Sequence, residues 1–134
     1  MKRTTQQREA ICTVLINTVG PLSPLEIQKL ARVAVPNIGI ATVYRALKAL
    51  VADGLIIQID IPGKTPRWEL ARKSHHHHFL CRSCDKLFEI HGCPADLKHL
   101  LPEGYVLEKH YILLEGQCDD CSTHAHRPPP TRKA

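Results

Sequence analysis

The chain has 134 residues, enough for one domain or two very small ones, and no apolar run approaches the roughly 18 residues a membrane span requires. Its net charge of +5 is unevenly spread: residues 1–73 carry +6, residues 74–121 carry −4 and the remainder +3. A basic first part joined to an acidic, His- and Cys-rich second part has the makeup of a nucleic-acid binder attached to a cation binder, although a basic solvated surface would produce the same totals. Aromatics make up only 4% of the chain, so metal ions and oligomerisation are expected to help hold such small units together.

In chain order, Thr5 to Val19 reads as a helix with Ile11, Cys12, Val14, Leu15 and Val19 on its apolar stripe, stopped by Gly20-Pro21. Cys12 belongs to that stripe and is read as a small core residue. Ser23, Pro24 and Glu26 have the order of an N-cap, a first-turn proline and a capping box, with Leu25, Ile27, Leu30 and Val33 as the buried face. After Pro36-Asn37 a third helix is expected from about Ile40 to Asp53, closed by Gly54. At about 100° per residue, Val43, Ala46, Leu47 and Leu50 share one face, while Ala41, Tyr44, Arg45, Lys48 and Ala52 share the other. The second face suits a DNA major groove, where small residues permit close approach, Arg and Lys meet phosphate or guanine and a tyrosine can touch a thymine methyl. An ordinary solvated helix face is the plain alternative. Leu55–Asp60, a Pro62-Gly63 turn and Arg67–Leu70 follow as two short strands, with Trp68 anchoring the second. The sum of these elements predicts a winged helix-turn-helix.

The chemistry of the second part is concentrated in S-H-H-H-H-F-L-C-R-S-C, Ser74 to Cys84, and in the later pair Cys118 and Cys121. Two C-x-x-C pairs are the spacing of a closed four-thiolate zinc site, because two intervening residues let both sulfurs of a pair reach one ion. Two disulfides in a secreted domain are the competing reading. No apolar signal segment opens the sequence, which favours a reducing, cytoplasmic setting and Zn²⁺ on Cys81, Cys84, Cys118 and Cys121. At strand spacing His75 and His77 face one way and His76 and His78 the other, so one strand is able to serve two metal sites. Phe79–Cys81 with Lys86–Ile90 is expected as a hairpin, Pro94–Leu101 as a short helix, and Tyr105–Lys109 and Tyr111–Glu115 as further strands. The tail from Ser122, with three consecutive prolines and with His124 and His126, is expected to be disordered.

The strings T-x-Q-x-R at Thr4 to Arg8, G-I-A-T-V-Y-R-A-L in the third helix, W-E-L through the histidines to the first knuckle, and G-Q-C-D-D-C at the second resemble the ferric uptake regulator superfamily of bacterial metal-responsive repressors. The resemblance runs from Arg3 to Cys121. It implies an α+β chain: a winged-helix DNA-binding domain with its hinge over residues 1–72, a small α/β metal-binding dimerisation domain over 73–122, and a tail over 123–134. It implies a non-enzymatic, homodimeric repressor of double-stranded operator DNA, with Arg3, Arg8, Thr42, Tyr44, Arg45 and Lys48 toward the DNA. It implies a structural zinc on the four knuckle cysteines and a regulatory divalent metal, Zn²⁺ or Fe²⁺, with Mn²⁺ also admitted. The hinge sensor would use Glu69, His76, His78 and Glu89, and a second site His75, His77, Asp96 and His110, with Glu103 as the alternative to Asp96. Where many relatives have a further hinge histidine this chain has Pro21. A peroxide-sensing regulator of the same superfamily is one alternative. An HNH-like nuclease is another, requiring an Asn or His on the helix after the knuckle, where only His99 is available. A zinc deaminase lacks its H-x-E and P-C-x-x-C strings. A purely structural zinc adaptor leaves the basic helix face and the spare histidines without a use.

Overall fold

In the computed structural model, residues 2–71 and 74–125 are described, without side chains for 2–4, 124 and 125. Arg3 and His124 therefore enter only as backbone, and the tail from His126 onward lies outside the described residues. The chain divides into two compact units, Met1–Ser74 and His75–Ala134.

The first unit is built on three helices, α1 (Lys2–Ile16), α2 (Pro24–Ala31) and α3 (Ile40–Ala52), followed by the antiparallel strands β1 (Ile56–Ile61) and β2 (Lys64–Leu70). Helix α1 starts earlier than its apolar stripe suggests and stops at Ile16, so Val19 lies beyond it and is exposed. Helix α2 begins where its signals put it: Glu26 N–H donates to Ser23 Oγ at 3.2 Å, and Ser23 N–H donates to Glu26 Oε1 at 2.8 Å. Its buried face is the expected one only at Ile27. Pro24, Ile27 and Ala31 are buried, whereas Leu25, Leu30 and Val33 are 69%, 44% and 88% exposed. With only eight residues, α2 has one short stripe to bury, and small Ala31 lets it approach α1 and α3 closely.

The turn into α3 is tied down by Gln28 Nε2 and the Arg32 guanidinium, which all donate to the Ile38 carbonyl at 3.1–3.4 Å. Val43, Ala46, Leu47 and Leu50 of α3 are buried as their spacing requires, in one core with Ile11, Leu15, Ile27, Ile38, Ile56 and Trp68. Past α3, Gly54 adopts φ 77°, a conformation that costs a residue without Cβ almost nothing. The wing is wider than two strands, because Leu22 and Trp68 exchange backbone hydrogen bonds of 3.0 and 2.8 Å and add a short third rung.

The second unit has a three-stranded sheet in the order β4-β3-β5. Strand β3 (His77–Cys81) runs antiparallel to β4 (Leu87–Ile90) and parallel to β5 (Leu113–Gly116). Three of the sequence expectations change here. Tyr105–Lys109 is not a strand: it is an irregular stretch, with Tyr105 and Val106 exposed, and no sheet partner among the described residues holds its backbone extended. Only a 3-10 helix, Leu97–Leu100, forms in the Pro94–Leu101 segment. A helix α4 (Asp119–Ala125) continues from the second knuckle into residues expected to belong to the tail.

Candidate metal centre

The four-cysteine cluster is built by parallel pairing. Strand β3 ends at Cys81 and β5 at its register partner Gly116, so the turn carrying Cys84 and the segment carrying Cys118 leave the sheet side by side. A Cβ on Gly116 would stand 3.3 Å from the Phe79 ring, so glycine lets β5 run this close. The donor atoms of Cys81, Cys84, Cys118 and Cys121 lie within 4.8 Å of one another. Cys84 and Cys118 sulfurs are 3.9 Å apart, far from a bond and close to the roughly 3.8 Å edge of a tetrahedron with Zn–S of about 2.3 Å. Cys81 Sγ accepts backbone N–H groups from Cys84 and Cys118, both at 3.4 Å.

Burial pushes the Cys81 thiol up, but the N–H groups of Cys84, Cys118 and Ser83, helped by the Cys84 side chain, outweigh it and bring it down to about 6. Cys121 moves the other way, to about 12, chiefly through hydrogen bonds with the Cys81 and Cys118 sulfurs. Cys84 is also raised, first by burial. One thiolate forms readily here and a full set needs a cation among them. The site fits zinc.

The four histidines divide as their alternation predicts. His75 and His77 pair edge to face with ring centroids 4.5 Å apart, and His76 and His78 do the same at 4.9 Å on the other side. The first pair meets His110, with His75 Nε2 3.3 Å from His110 Nε2 and 3.1 Å from His77 Nε2. The fourth member of this group is Cys93, not Asp96: its sulfur lies 2.9 Å from His110 Nε2 and 3.4 Å from His77 Nε2. Asp96 is exposed and occupies the N-cap position of the 3-10 helix, because the segment after β4 stays irregular and brings Cys93 to the histidines first. Glu103 is exposed as well and is not among them. Burial lowers the His77 pKa, with His75, His110, His76 and His78 adding to it.

On the opposite side, His78 is paired in register with Glu89, and Glu89 reaches His76 at 3.8 Å and His91 at 3.2 Å. His91 is a neighbour that sequence reasoning passed over; its place two residues after Glu89 on the same alternation was the available signal. His78 Nδ1 stands 3.1 Å from the Tyr111 hydroxyl. Glu69, the remaining expected hinge ligand, is a buried carboxylate near the end of β2 in the first unit. His99, which a nuclease would need, is exposed on the 3-10 helix and belongs to none of the donor groups found among the described residues.

The α3 face that the sequence suggests for DNA is solvent-accessible. Ala41, Tyr44, Arg45, Lys48 and Ala52 are all exposed on α3, opposite its buried stripe. Thr42 Oγ1 accepts a hydrogen bond from Arg45 Nη2 at 3.0 Å. Tyr44 is braced edge-on by Trp68, with centroids 6.3 Å apart. Arg8, by contrast, is half-buried on α1, and its Nε has no partner among the described residues.

A family model described as "Ferric uptake regulator family" matches residues 1–114. The ferric uptake regulation protein of Campylobacter jejuni is 32% identical over 123 residues, covering 88% of this chain and 78% of its own length. Among solved structures, the Helicobacter pylori ferric uptake regulator Fur, described as having three functional metal binding sites, superposes with a TM-score of 0.69 at 29% identity, over 87% of this chain and 79% of that one. FurB from M. tuberculosis, described as a zinc uptake regulator, gives 0.51 at 31% identity, over 89% and 95%. Cys118 and Cys121 lie beyond the segment matched by the family model, so their part in the thiolate cluster rests on their own geometry.

Proposed function

The chain belongs to the ferric uptake regulator family, and from that premise we propose that it is a homodimeric transcriptional repressor whose grip on operator DNA depends on a divalent cation, Zn²⁺ or Fe²⁺. The observation that carries this reading is the division of four consecutive histidines between two donor groups, in a chain that also presents Tyr44, Arg45 and Lys48 on an exposed helix face.

Regulation follows from which residues a cation joins. The proposed sensor uses Glu69, His76, His78 and Glu89. Glu69 belongs to the DNA-binding unit and the others to the metal-binding unit, so a cation held by all four would fix one unit against the other. A dimer must present two recognition helices at the spacing of two half-sites, and a cation favours DNA binding only through its higher affinity for that arrangement. Histidine and carboxylate donors suit both Zn²⁺ and Fe²⁺. Dimerisation is supported by apolar side chains that the second unit leaves exposed: Leu100 and Val106 at 80% each, with Tyr105, Leu107 and Leu114.

The test is binding to a duplex selected from a random pool, titrated separately with Zn²⁺, Mn²⁺ and Fe²⁺ and read by fluorescence anisotropy. Cation-dependent, sequence-specific binding without strand cleavage is the expected result; cation-dependent cleavage of plasmid DNA would favour a nuclease instead. Tyr44→Ala and Arg45→Ala should each weaken binding by about 1–3 kcal/mol without changing zinc content or dimerisation. Lys48→Ala should act as the loss of a phosphate contact and make the salt dependence shallower by about one unit. A Tyr44→Ala/Arg45→Ala double variant that binds like wild type would remove α3 from the interface.

A further inference from the structure

Cys93 is the one cysteine of the second unit that the four-thiolate cluster does not use. It is exposed, in the irregular segment between β4 and the 3-10 helix, and its sulfur faces three imidazole nitrogens at once. Those distances are 2.9 Å to His110 Nε2, 3.4 Å to His77 Nε2 and 3.7 Å to His75 Nε2. The nitrogens are 3.1 Å apart between His75 and His77 and 3.3 Å apart between His75 and His110. A tetrahedral zinc with Zn–N of about 2.0–2.1 Å and Zn–S of about 2.3 Å has edges of about 3.3–3.4 Å between nitrogens and about 3.6 Å from nitrogen to sulfur. Four of the five separations are at or below those edges and one is just above, so the donors already stand as close as an ion would hold them. Four donors from three separate stretches of chain thus converge on one coordination-sized space.

We infer that Cys93 is a thiolate ligand of this site, completing a Cys-His₃ set with His75, His77 and His110 that selects cations of the zinc class over Mn²⁺ and Fe²⁺. The selectivity follows from the donor that Cys93 supplies. A carboxylate at this corner, such as Asp96 would have been, suits harder cations, whereas a thiolate shifts preference toward zinc. The thiolate also brings one negative charge to three neutral rings, leaving a single net positive charge on a bound divalent ion.

His77 is the corner at which loading has a cost. The backbone N–H of Ile112 points at His77 Nδ1 from 3.1 Å, which puts the proton of the neutral ring on Nε2, the atom facing the other donors. Ligation through Nε2 requires that proton to leave Nε2 and the Ile112 contact to give way. The contribution of His77 to affinity should therefore be smaller than that of Cys93.

The inference concerns metal binding alone, and its test reads no DNA, so the repressor reading and this one fail independently. Full-length protein retaining zinc in the four-cysteine site is titrated with Co²⁺, with zinc measured throughout so that displacement is recognised. Of the Co²⁺ that binds beyond the structural zinc, one equivalent per chain should be tetrahedral and show a thiolate-to-cobalt charge-transfer band, the sensor donors having no thiolate to give one. Cys93→Ser should lose that band and at least about tenfold in Zn²⁺ affinity at this site, keeping the structural zinc. Cys93→Asp should bind Co²⁺ without the band and with a reduced preference for Zn²⁺ over Mn²⁺. Alkylation of the wild type followed by mass spectrometry gives an answer that needs no variant: Zn²⁺ should protect Cys93 from iodoacetamide. A band that persists in Cys93→Ser with structural zinc undisplaced, or alkylation of Cys93 that Zn²⁺ does not slow, overturns the assignment.

Discussion

The two units solve the problem of small size differently. The first buries a continuous apolar cluster, from Ala10, Ile11 and Leu15 through Ile27, Ile38 and Val43 to Leu47, Leu50, Ile56 and Trp68. In the second, the buried apolar residues among those described are Leu80, Cys81 and Leu87, and beside them two imidazoles, His77 and His78, are buried as well. A unit whose interior is largely donor atoms gains little from apolar burial and has to draw cohesion from what those donors hold. Zinc in this family member is therefore expected to act on one unit and spare the other.

The strongest way to break that contrast is to open the thiolate cluster. Cys84→Ser should release the tightly held zinc and unfold the second unit with loss of the dimer, while the helical unit stays folded; calorimetry with parallel metal analysis checks this. A variant that remains a folded dimer without zinc would show that the second unit does not depend on the metal. The converse variant, Leu47→Ala, creates a cavity under α3 and should cost the first unit about 2–5 kcal/mol while zinc content is unchanged, as read from separate melting transitions. If both variants melt the whole chain in one step, the units are not independent.

A finer comparison lies between the histidine groups on the two sides of β3. Glu69→Ala or His78→Ala should remove cation-stimulated DNA binding, a coupling of about 1–3 kcal/mol, and leave the dimer intact. His110→Ala should show chiefly as lower stability of the second unit, because all four donors of its group belong to that unit. Should His110→Ala silence the response while Glu69→Ala leaves it unchanged, sensor and support are the other way round. The smallest effect belongs to Ser23→Ala, which removes one hydrogen bond of the α2 capping box. It should destabilise the first unit by about 1 kcal/mol and leave metal binding alone, as measured by urea unfolding.

Local rules made much of this protein legible before its fold was known. Ser23, Pro24 and Glu26 announce a helix start because the capping groups are only three residues apart. The α3 face carrying Tyr44, Arg45 and Lys48 follows from its turn angle alone, and the histidine split follows from the two-residue period of a strand. Each C-x-x-C pair is readable because both sulfurs come from one short turn.

What the sequence did not decide depends on which segments meet. Leu25, Leu30 and Val33 are as apolar as Ile27, yet the approach of α1 and α3 covers Pro24, Ile27 and Ala31 and leaves Leu25, Leu30 and Val33 exposed. Tyr105–Lys109 opens with residues of high strand propensity but acquires no sheet partner among the described residues, and a strand without a ladder is only an irregular segment. The choice between Cys93 and Asp96 is of the same kind. Only two residues separate them in a stretch without regular periodicity, so neither spacing nor propensity ranks one above the other. The path of the chain after β4 decides it, by setting the Cys93 sulfur 2.9 Å from His110, a residue 17 positions away in sequence.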